Sequence, residues 1–413
     1  MSYNVFYKIK ENGHFRYYNT ESDEIKTVQQ IELTHNFEIP NKGYCKKSLI
    51  KKNNRYKIEE SIDDDCLINY ISDFKQWIKE LRYDKIHSFR YTNYFTDIMA
   101  SVNFFMKHID FKLKDCPQIK RVEMEWIESA PNGALMYCIE EQTEPIDTYS
   151  YDFNMHYATC LGKLEDSNLM IPISEGYETT LDELPKKSMN LSYGFYRVKI
   201  TSDNPNAKKV FVFSKKNTYN YYSLFFAMKH KKQFNFKIEL IQDGKPNAYL
   251  YDNMIQSSEY FGEWYNTLLS LKKKYPKNKL IKMLASNLWG GLAQTNTKNV
   301  SRDELDKYVS EGYQIRDKKE YGDPDDSDHK IYYEIYHPDN YYKYNLRIKS
   351  WLNAYARNKT AHLAMKDIDN VIRIHTDSVS FRTEQEHNER YKFEEKTSGR
   401  VIWYNVNNYY KVG

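Results

Sequence analysis

Two apolar runs flank a short polar step at residues 371–381, which read 371-VIRIHTDSVSF-381. Val371, Ile372 and Ile374 before the step, and Val379 and Phe381 after it, have the spacing of short half-buried strands. So few residues separate the runs that the strands can only fold back on each other as a tight hairpin. Asp377 and Ser378 suit the turn, because their side chains bond nearby backbone groups. A purely structural turn is a sufficient reading of this stretch alone. The carboxylate near its tip gains chemical meaning only if a second one elsewhere has a comparable setting.

That second carboxylate lies in 149-YSYDFNMHYATCL-161, where Asp152 closes an alternating strand and a turn leads into a helix. A lone Asp at a strand end is usually a cap or turn residue. Two such residues at strand ends of one sheet could share divalent metals. Mg²⁺ favours carboxylates together with substrate phosphate oxygens and retains some waters. Such a pair can stabilise the attacking and the leaving oxygen of an in-line phosphoryl displacement.

A third constellation is 277-KNKLIKMLASNLWGGLA-293. On a helix, Lys279, Lys282, Ser286 and Trp289 share one face, while Leu280, Leu284 and Leu288 form a buried stripe on another. Pro276 fits the first turn and Gly290-Gly291 the end. A lysine ladder on its own is a solvated face. With a hydroxyl and an indole beside it, the face suits a phosphate chain and a base, the lysines acting as mobile point charges.

Composition narrows the class. The 413 residues are 40% hydrophobic and 29% charged, as expected of a soluble globular chain of two or three domains. No run approaches the 18 apolar residues of a membrane span, and the N-terminus lacks a signal peptide's apolar segment. Cys45, Cys66, Cys116, Cys138 and Cys160 are odd in number and widely spaced, so they read as free thiols in a reducing compartment. A net charge of +4 does not by itself demand a polyanionic partner, although basic residues mix with 39 tyrosines.

Along the chain, 1–60 mixes strand-like runs and polar turns, and 66–82 and 91–108 have helical periodicity. The loop 129–135 (SAPNGAL) marks a domain boundary. Strands are expected at 147–153, 193–200, 208–214 and 234–241, and helices at 218–232, through 256–290 and at 345–366. The charged stretch 315–332 reads as a mobile surface insertion. Strands mixed with helices imply a layered α+β or α/β core.

The three constellations, in this order, resemble motifs A, B and C of the family B DNA polymerases, above all the small protein-primed ones of phages, linear plasmids and viruses. Motif A (D-x-x-S-L-Y-P) corresponds to Asp152 through Ala158, motif B (K-x-x-x-N-S-x-Y-G) to Lys282 through Gly290, and motif C (D-T-D-S) to His375 through Ser378. The separations, 130 residues from Asp152 to Lys282 and 95 from Lys282 to Asp377, suit a palm interrupted by fingers. The resemblance covers residues 130–413, and 345–364 looks like the helix that precedes motif C.

The resemblance implies an α+β fold: an antiparallel palm sheet with packed helices, helical fingers and a small N-terminal domain. The expected partition is 1–128 (a shrunken or replaced exonuclease region), 129–242 (palm with motif A), 243–310 (fingers) and 311–413 (palm with motif C and the start of a thumb). It implies that Asp152 and Asp377, catalytic and converging, hold Mg²⁺ or Mn²⁺ with the Phe153 carbonyl. Tyr157 matches the steric gate against a 2′-hydroxyl, and Lys282, with Lys279, Ser286 and Asn287, the nucleotide-binding face. Asn132 and Gly133 stand where the family has a template-contacting loop, and Trp289, Gly290, Ser378 and Tyr410 complete the expected DNA contacts. The implied partners are primer-template DNA and deoxynucleotides, with a terminal protein or a second subunit supplying thumb function, and no membrane. The implied setting is intracellular, in host cytoplasm or a virus factory.

Departures from the pattern bear on activity. The first Asp of motif C is His375, the Asn-Ser of motif B is inverted to Ser286-Asn287, and its Tyr is Trp289. No D-x-E, the family's first exonuclease signature, occurs in residues 1–150, so no proofreading is expected. At the other end, Asn408-Tyr409-Tyr410 stands in place of K-x-Y, and little or no thumb is expected. An active minimal polymerase and a catalytically weakened polymerase-fold subunit that binds nucleic acid or primer are the two readings this leaves.

Overall fold

A computed structural model describes residues 8–9, 14–19, 24–29, 64–88, 98–140, 142–163, 169–321, 330–385 and 393–412. The chain divides into two compact units. The smaller comprises residues 1–107 and 267–291, the larger 108–266 and 292–413. Among the described residues no helix is long and apolar enough to cross a membrane. The described cysteines Cys116, Cys138 and Cys160 are free, as their spacing predicts.

The larger unit is organised by a six-stranded sheet that is antiparallel throughout. Its order is Tyr409–Lys411, Phe393–Trp403, Ile146–Phe153, Ser378–Phe381, Val371–His375 and Met136–Cys138. The expected hairpin is there, with strands Val371–His375 and Ser378–Phe381 and a bulge between Val371 and Arg373. Strand alternation sends the two halves of each sequence to opposite faces. Tyr149, Tyr151, Phe153, Ile374, Val379 and Phe381 pack into one apolar cluster with Ala361, Leu363 and Ala364 of the helix Lys349–Ala364. Thr148, Ser150 and Asp152 alternate with the aromatics, and Ser150 Oγ lies 2.7 Å from Ser380 Oγ across the sheet. The mixture of helices with curled antiparallel sheet is the α+β architecture expected.

A second sheet in this unit is built on Gly194–Thr201, flanked by Lys237–Leu240 and Ala248–Leu250, with Tyr177–Thr179 beyond. The strand expected at 208–214 is absent. Residues Ala207–Val210 form a short helix, started by Asn204, whose Oδ1 accepts the Asn206 N–H at 2.9 Å. Val210 and Phe211 are both buried, so the run follows a turn into an aromatic cluster with Phe226 and Phe236 instead of alternating. The helix of 218–232 is shortened to Tyr221–Lys229 because Asn220 caps it, accepting from Ser223 N–H at 3.1 Å.

The stretch 315–332 is also corrected. Gln314–Tyr321 and Lys330–Tyr336 pair as antiparallel strands beside Thr297–Ser301, and residues 322–329 lie outside the described residues. Although Asp317 is its register partner, Glu334 pairs across the strands with Arg316 at 3.5 Å and also with Lys319. Such diagonal contacts between opposite charges support a hairpin.

In the smaller unit, the antiparallel strands Lys8–Ile9, His14–Asn19 and Glu24–Gln29 precede the helix Asp64–Tyr83. The helix expected at 91–108 is described as Ile98–Phe105 with a 3₁₀ turn to His108, and residues 91–97 lie outside the described residues. The single helical run expected through 256–290 is two helices, Ser257–Lys274 and Lys279–Leu292. Pro276 sits in the break and not in the first turn. Asn278 starts the second helix, its Oδ1 accepting from Leu280 N–H at 3.0 Å while its Nδ2 donates to Trp77 O at 3.0 Å.

One buried ion pair fixes the approach to the Lys349–Ala364 helix. Arg347 donates to both Glu123 oxygens at 2.5 and 2.7 Å, with side chains 1% and 0% exposed. Its remaining donors reach Pro117 O and Gln118 O, and Tyr251 Oη donates to Glu123 at 2.7 Å. Removing one partner strands a buried charge, which costs about 3–5 kcal/mol. Arg347→Met is therefore expected to lose that much stability in urea denaturation, and Arg347→Met with Glu123→Leu to recover most of it.

Candidate active site

Asp152 is the last but one residue of the strand Ile146–Phe153. Its register partner is Ser378, the residue after Asp377. The adjoining backbone is bonded directly, Phe153 N–H donating to Asp377 C=O at 3.0 Å. The two aspartates of motifs A and C thus stand at the same end of neighbouring central strands. Both are half-buried. Ser378 itself is buried.

The Asp377 turn is strained. Thr376 has φ +62°, a left-handed conformation that a β-branched residue adopts at a cost of about 1–3 kcal/mol. Its N–H donates to Leu135 O at 3.2 Å, and its carbonyl accepts from Thr360 Oγ1 at 3.0 Å. His375, the last residue of its strand, pairs with Ser378 and Met136 and is half-buried.

The turn after Asp152 packs against the same helix. His156 is buried, stacks on Phe153 with ring centroids 4.7 Å apart, and points Nε2 at Ala356 O at 3.2 Å. Burial lowers its pKa to about 4. Tyr157 is half-buried, and burial, reinforced by the Asp377 carboxylate, pushes its phenol up to about 12.

Arg357 is buried in the helix Lys349–Ala364. Burial lowers its pKa to about 10, with the Tyr157 phenol acting in the opposite sense. The guanidinium donates to Pro131 O at 3.0 Å, Gly133 O at 2.5 Å and Ser223 Oγ at 3.3 Å. Asn353 Nδ2 adds a bond to Asn132 O at 2.7 Å. The loop carrying Asn132 and Gly133 is therefore stapled to the helix, and an added Cβ at Gly133 would meet nothing within 4 Å. Asn353, Arg357, Thr360 and His156 were not singled out from the sequence. Their signal was present: polar residues at 353, 357 and 360 share one face of a helix otherwise rich in alanine.

The motif B residues belong to the smaller unit. On the helix Lys279–Leu292, Lys279, Lys282 and Ser286 are exposed, Asn287 and Trp289 half-buried, and Leu280, Leu284 and Leu288 buried, as the stripe predicts. Lys279 Nζ lies 5.6 Å from the centre of the Trp77 ring. Gly291 is pressed against Ile98 and Val102, whereas a Cβ at Gly290 would meet open space. Tyr410 is 57% exposed on the edge strand Tyr409–Lys411 of the large sheet.

The donor set suits a hard divalent cation. Two carboxylates at the same end of neighbouring strands are hard oxygen donors, and no group of three or more His, Cys, Asp or Glu able to hold a metal occurs among the described residues. That is too few for a cage made by protein alone, but it matches Mg²⁺, which takes one or two carboxylates and completes its shell with water and substrate phosphate.

The curled antiparallel sheet with its packed helices is a DNA-polymerase-like fold. Solved structures of Phi29 DNA polymerase are similar to the whole chain. Its complex with single-stranded DNA matches with a TM-score of 0.56 at 13% identity, covering 99% of this chain and 86% of that one. Its ternary complex with primer-template DNA and incoming nucleotides gives 0.57 at 12% identity, with the same coverage. No protein-family model matches the sequence, and no curated protein does. At such identities the likeness establishes the fold alone.

Arg357 reaches Pro131 O and Gly133 O through Nη1 while Nη2 reaches Ser223 Oγ, a spread of donors that a single lysine ammonium cannot reproduce. Arg357→Lys is expected to destabilise the protein by about 1–3 kcal/mol. Amide hydrogen exchange should be faster at residues 133–135 than in the wild type, and unchanged protection there would show that the staple is dispensable.

Proposed function

We propose that this chain is a template-directed DNA polymerase that extends a primer by nucleotidyl transfer, using two Mg²⁺ or Mn²⁺ ions and no proofreading activity. The observation that carries the reading is the strand register that sets Asp152 beside the Asp377 turn within a polymerase fold. In the reaction the primer 3′-oxygen forms a bond to the α-phosphorus, the bond to the leaving pyrophosphate breaks, and the 3′-hydroxyl proton is released. Asp152, Asp377 and the Phe153 carbonyl would hold the metals, which supply charge neutralisation at the attacking and leaving oxygens.

The remaining residues take roles that fit their settings. Tyr157 would lie under the sugar and exclude a 2′-hydroxyl by collision. The exposed Lys282, with Lys279 and Ser286 on its face and Asn287 beside them, would bind the triphosphate and offset charge on the departing pyrophosphate. Gly133 and Gly290, whose missing side chains leave open space, would let DNA approach the backbone, together with Asn132, Trp289, Ser378 and Tyr410. The absence of D-x-E from residues 1–150 supports synthesis without editing. A terminal protein or second subunit is the proposed protein partner.

A second reading, a polymerase-fold subunit that binds primer or template with little synthesis, is favoured by His375, which replaces an oxygen ligand in motif C. Primer extension on primed DNA with Mg²⁺ or Mn²⁺ separates the two. Under the polymerase reading, Asp377→Ala should lower the rate by about a thousandfold, in line with several kcal/mol of lost charge stabilisation. Tyr157→Val should raise ribonucleotide insertion, and Lys282→Ala should raise the nucleotide KM while leaving DNA affinity near wild type. Wild-type protein that binds primed DNA yet adds no nucleotide with either metal would leave the second reading standing.

A further inference from the structure

Thr376 is held left-handed by groups outside its own hairpin, and one of them, Thr360, has no other evident task. Thr360 is wholly buried in the helix Lys349–Ala364, and its hydroxyl lies 3.0 Å from Thr376 O, 3.3 Å from Ala356 O and 3.5 Å from His156 Nε2. A hydroxyl has one proton to give and lone pairs to receive. The shortest of these distances assigns that proton to Thr376 O. The His156 Nε2–H donates to Ala356 O at 3.2 Å, and the same ring nitrogen lies 3.5 Å from the Thr360 oxygen, so the imidazole packs against that hydroxyl. His156 in turn stacks on Phe153, whose N–H is bonded to Asp377 C=O. The contacts close a ring: Phe153, His156, Thr360, Thr376 and Asp377 are each joined to the next, and the last is joined back to the first.

We infer that Thr360, packed against His156, is a positioning residue that sets the Asp377 carboxylate relative to Asp152 by locking the Thr376 peptide. The inference rests on the polymerase reading above and deepens it. Thr360 touches neither nucleotide nor metal in this scheme. Its hydroxyl keeps the turn in a conformation that Thr376 would otherwise leave, and small displacements of reacting groups are costly in rate.

The test compares Thr360→Val, which keeps the shape and removes the hydroxyl, with Thr360→Ser, which keeps the hydroxyl. Thr360→Val should lower kcat for primer extension about tenfold or more and raise the Mn²⁺ concentration giving half-maximal rate. Nucleotide KM and primer-template Kd should stay within about twofold, and Thr360→Ser should return to within about threefold of wild type. Adding Thr376→Gly to Thr360→Val should restore part of the lost turnover, because glycine adopts the left-handed conformation without the hydroxyl's help. Independently of activity, Mn²⁺ titration followed by electron paramagnetic resonance should show several-fold weaker binding in Thr360→Val and none in Asp377→Ala.

A folded Thr360→Val with wild-type turnover and wild-type Mn²⁺ binding overturns the inference while the polymerase reading stands. Equal losses in Thr360→Val and Thr360→Ser overturn it as well. If Thr360→Val does not fold, Thr360→Ala tests the same link, since it deletes the hydroxyl with a smaller side chain. It should shift the Mn²⁺ dependence in the same direction, and an unchanged dependence counts against the inference. Wild-type protein with neither extension nor Mn²⁺ binding overturns both the inference and the reading beneath it.

Discussion

The helix Lys349–Ala364 is fastened by side chains that reach into other segments, and the candidate site depends on those bonds. Arg347 at its approach closes on Glu123. Asn353 and Arg357 hold the 131–133 loop, and Thr360 holds the Thr376 peptide. These groups are buried, where an unmet donor or charge is expensive. The helix can satisfy them in few positions, so loop, hairpin turn and the motif A turn are located relative to one another by one element. Apolar packing on the same helix, through Ala361, Leu363 and Ala364 against the sheet, supplies bulk stabilisation and little direction.

How much of this could be read beforehand varied with the physical origin of each feature. The strands at 147–153 and 371–381 were legible because alternation is a local signal and a two-residue turn has few solutions. The lysine face of 279–286 was legible for the same reason, its period fixing which residues share a side. The segment 208–214 was misread: Val210 and Phe211 are apolar enough for a strand, but Asn204 and Asn206 start a helical turn and tertiary aromatic packing takes over. The hairpin at 314–336 was hidden by its charges, which look solvated in sequence and become partners only when the strands are laid side by side. Asn353, Arg357 and Thr360 were overlooked because their targets are main-chain carbonyls, and a carbonyl has no letter in a sequence.

The last point also bears on how a fold of this kind is shared with Phi29 DNA polymerase at 12% identity. Strand pairing, sheet order and strand-end carboxylates are properties of register and of a very few side chains. The aromatic interior, rich in Tyr and Phe, meets the same volume requirement by its own means. What a packed core demands is volume and pattern, and many sequences meet that demand.

The staple of the 131–133 loop has a further consequence, which concerns tolerance to change. Arg357 and Asn353 donate to the carbonyls of Pro131, Asn132 and Gly133, and any amino acid at those three positions would present the same acceptor. The two ends of each bond are therefore unequal under mutation. The loop side can drift in identity, and so retune whatever it touches, without loosening its anchor. The helix side can hardly drift at all. A loop fastened in this manner is free to change its side chains faster than its position.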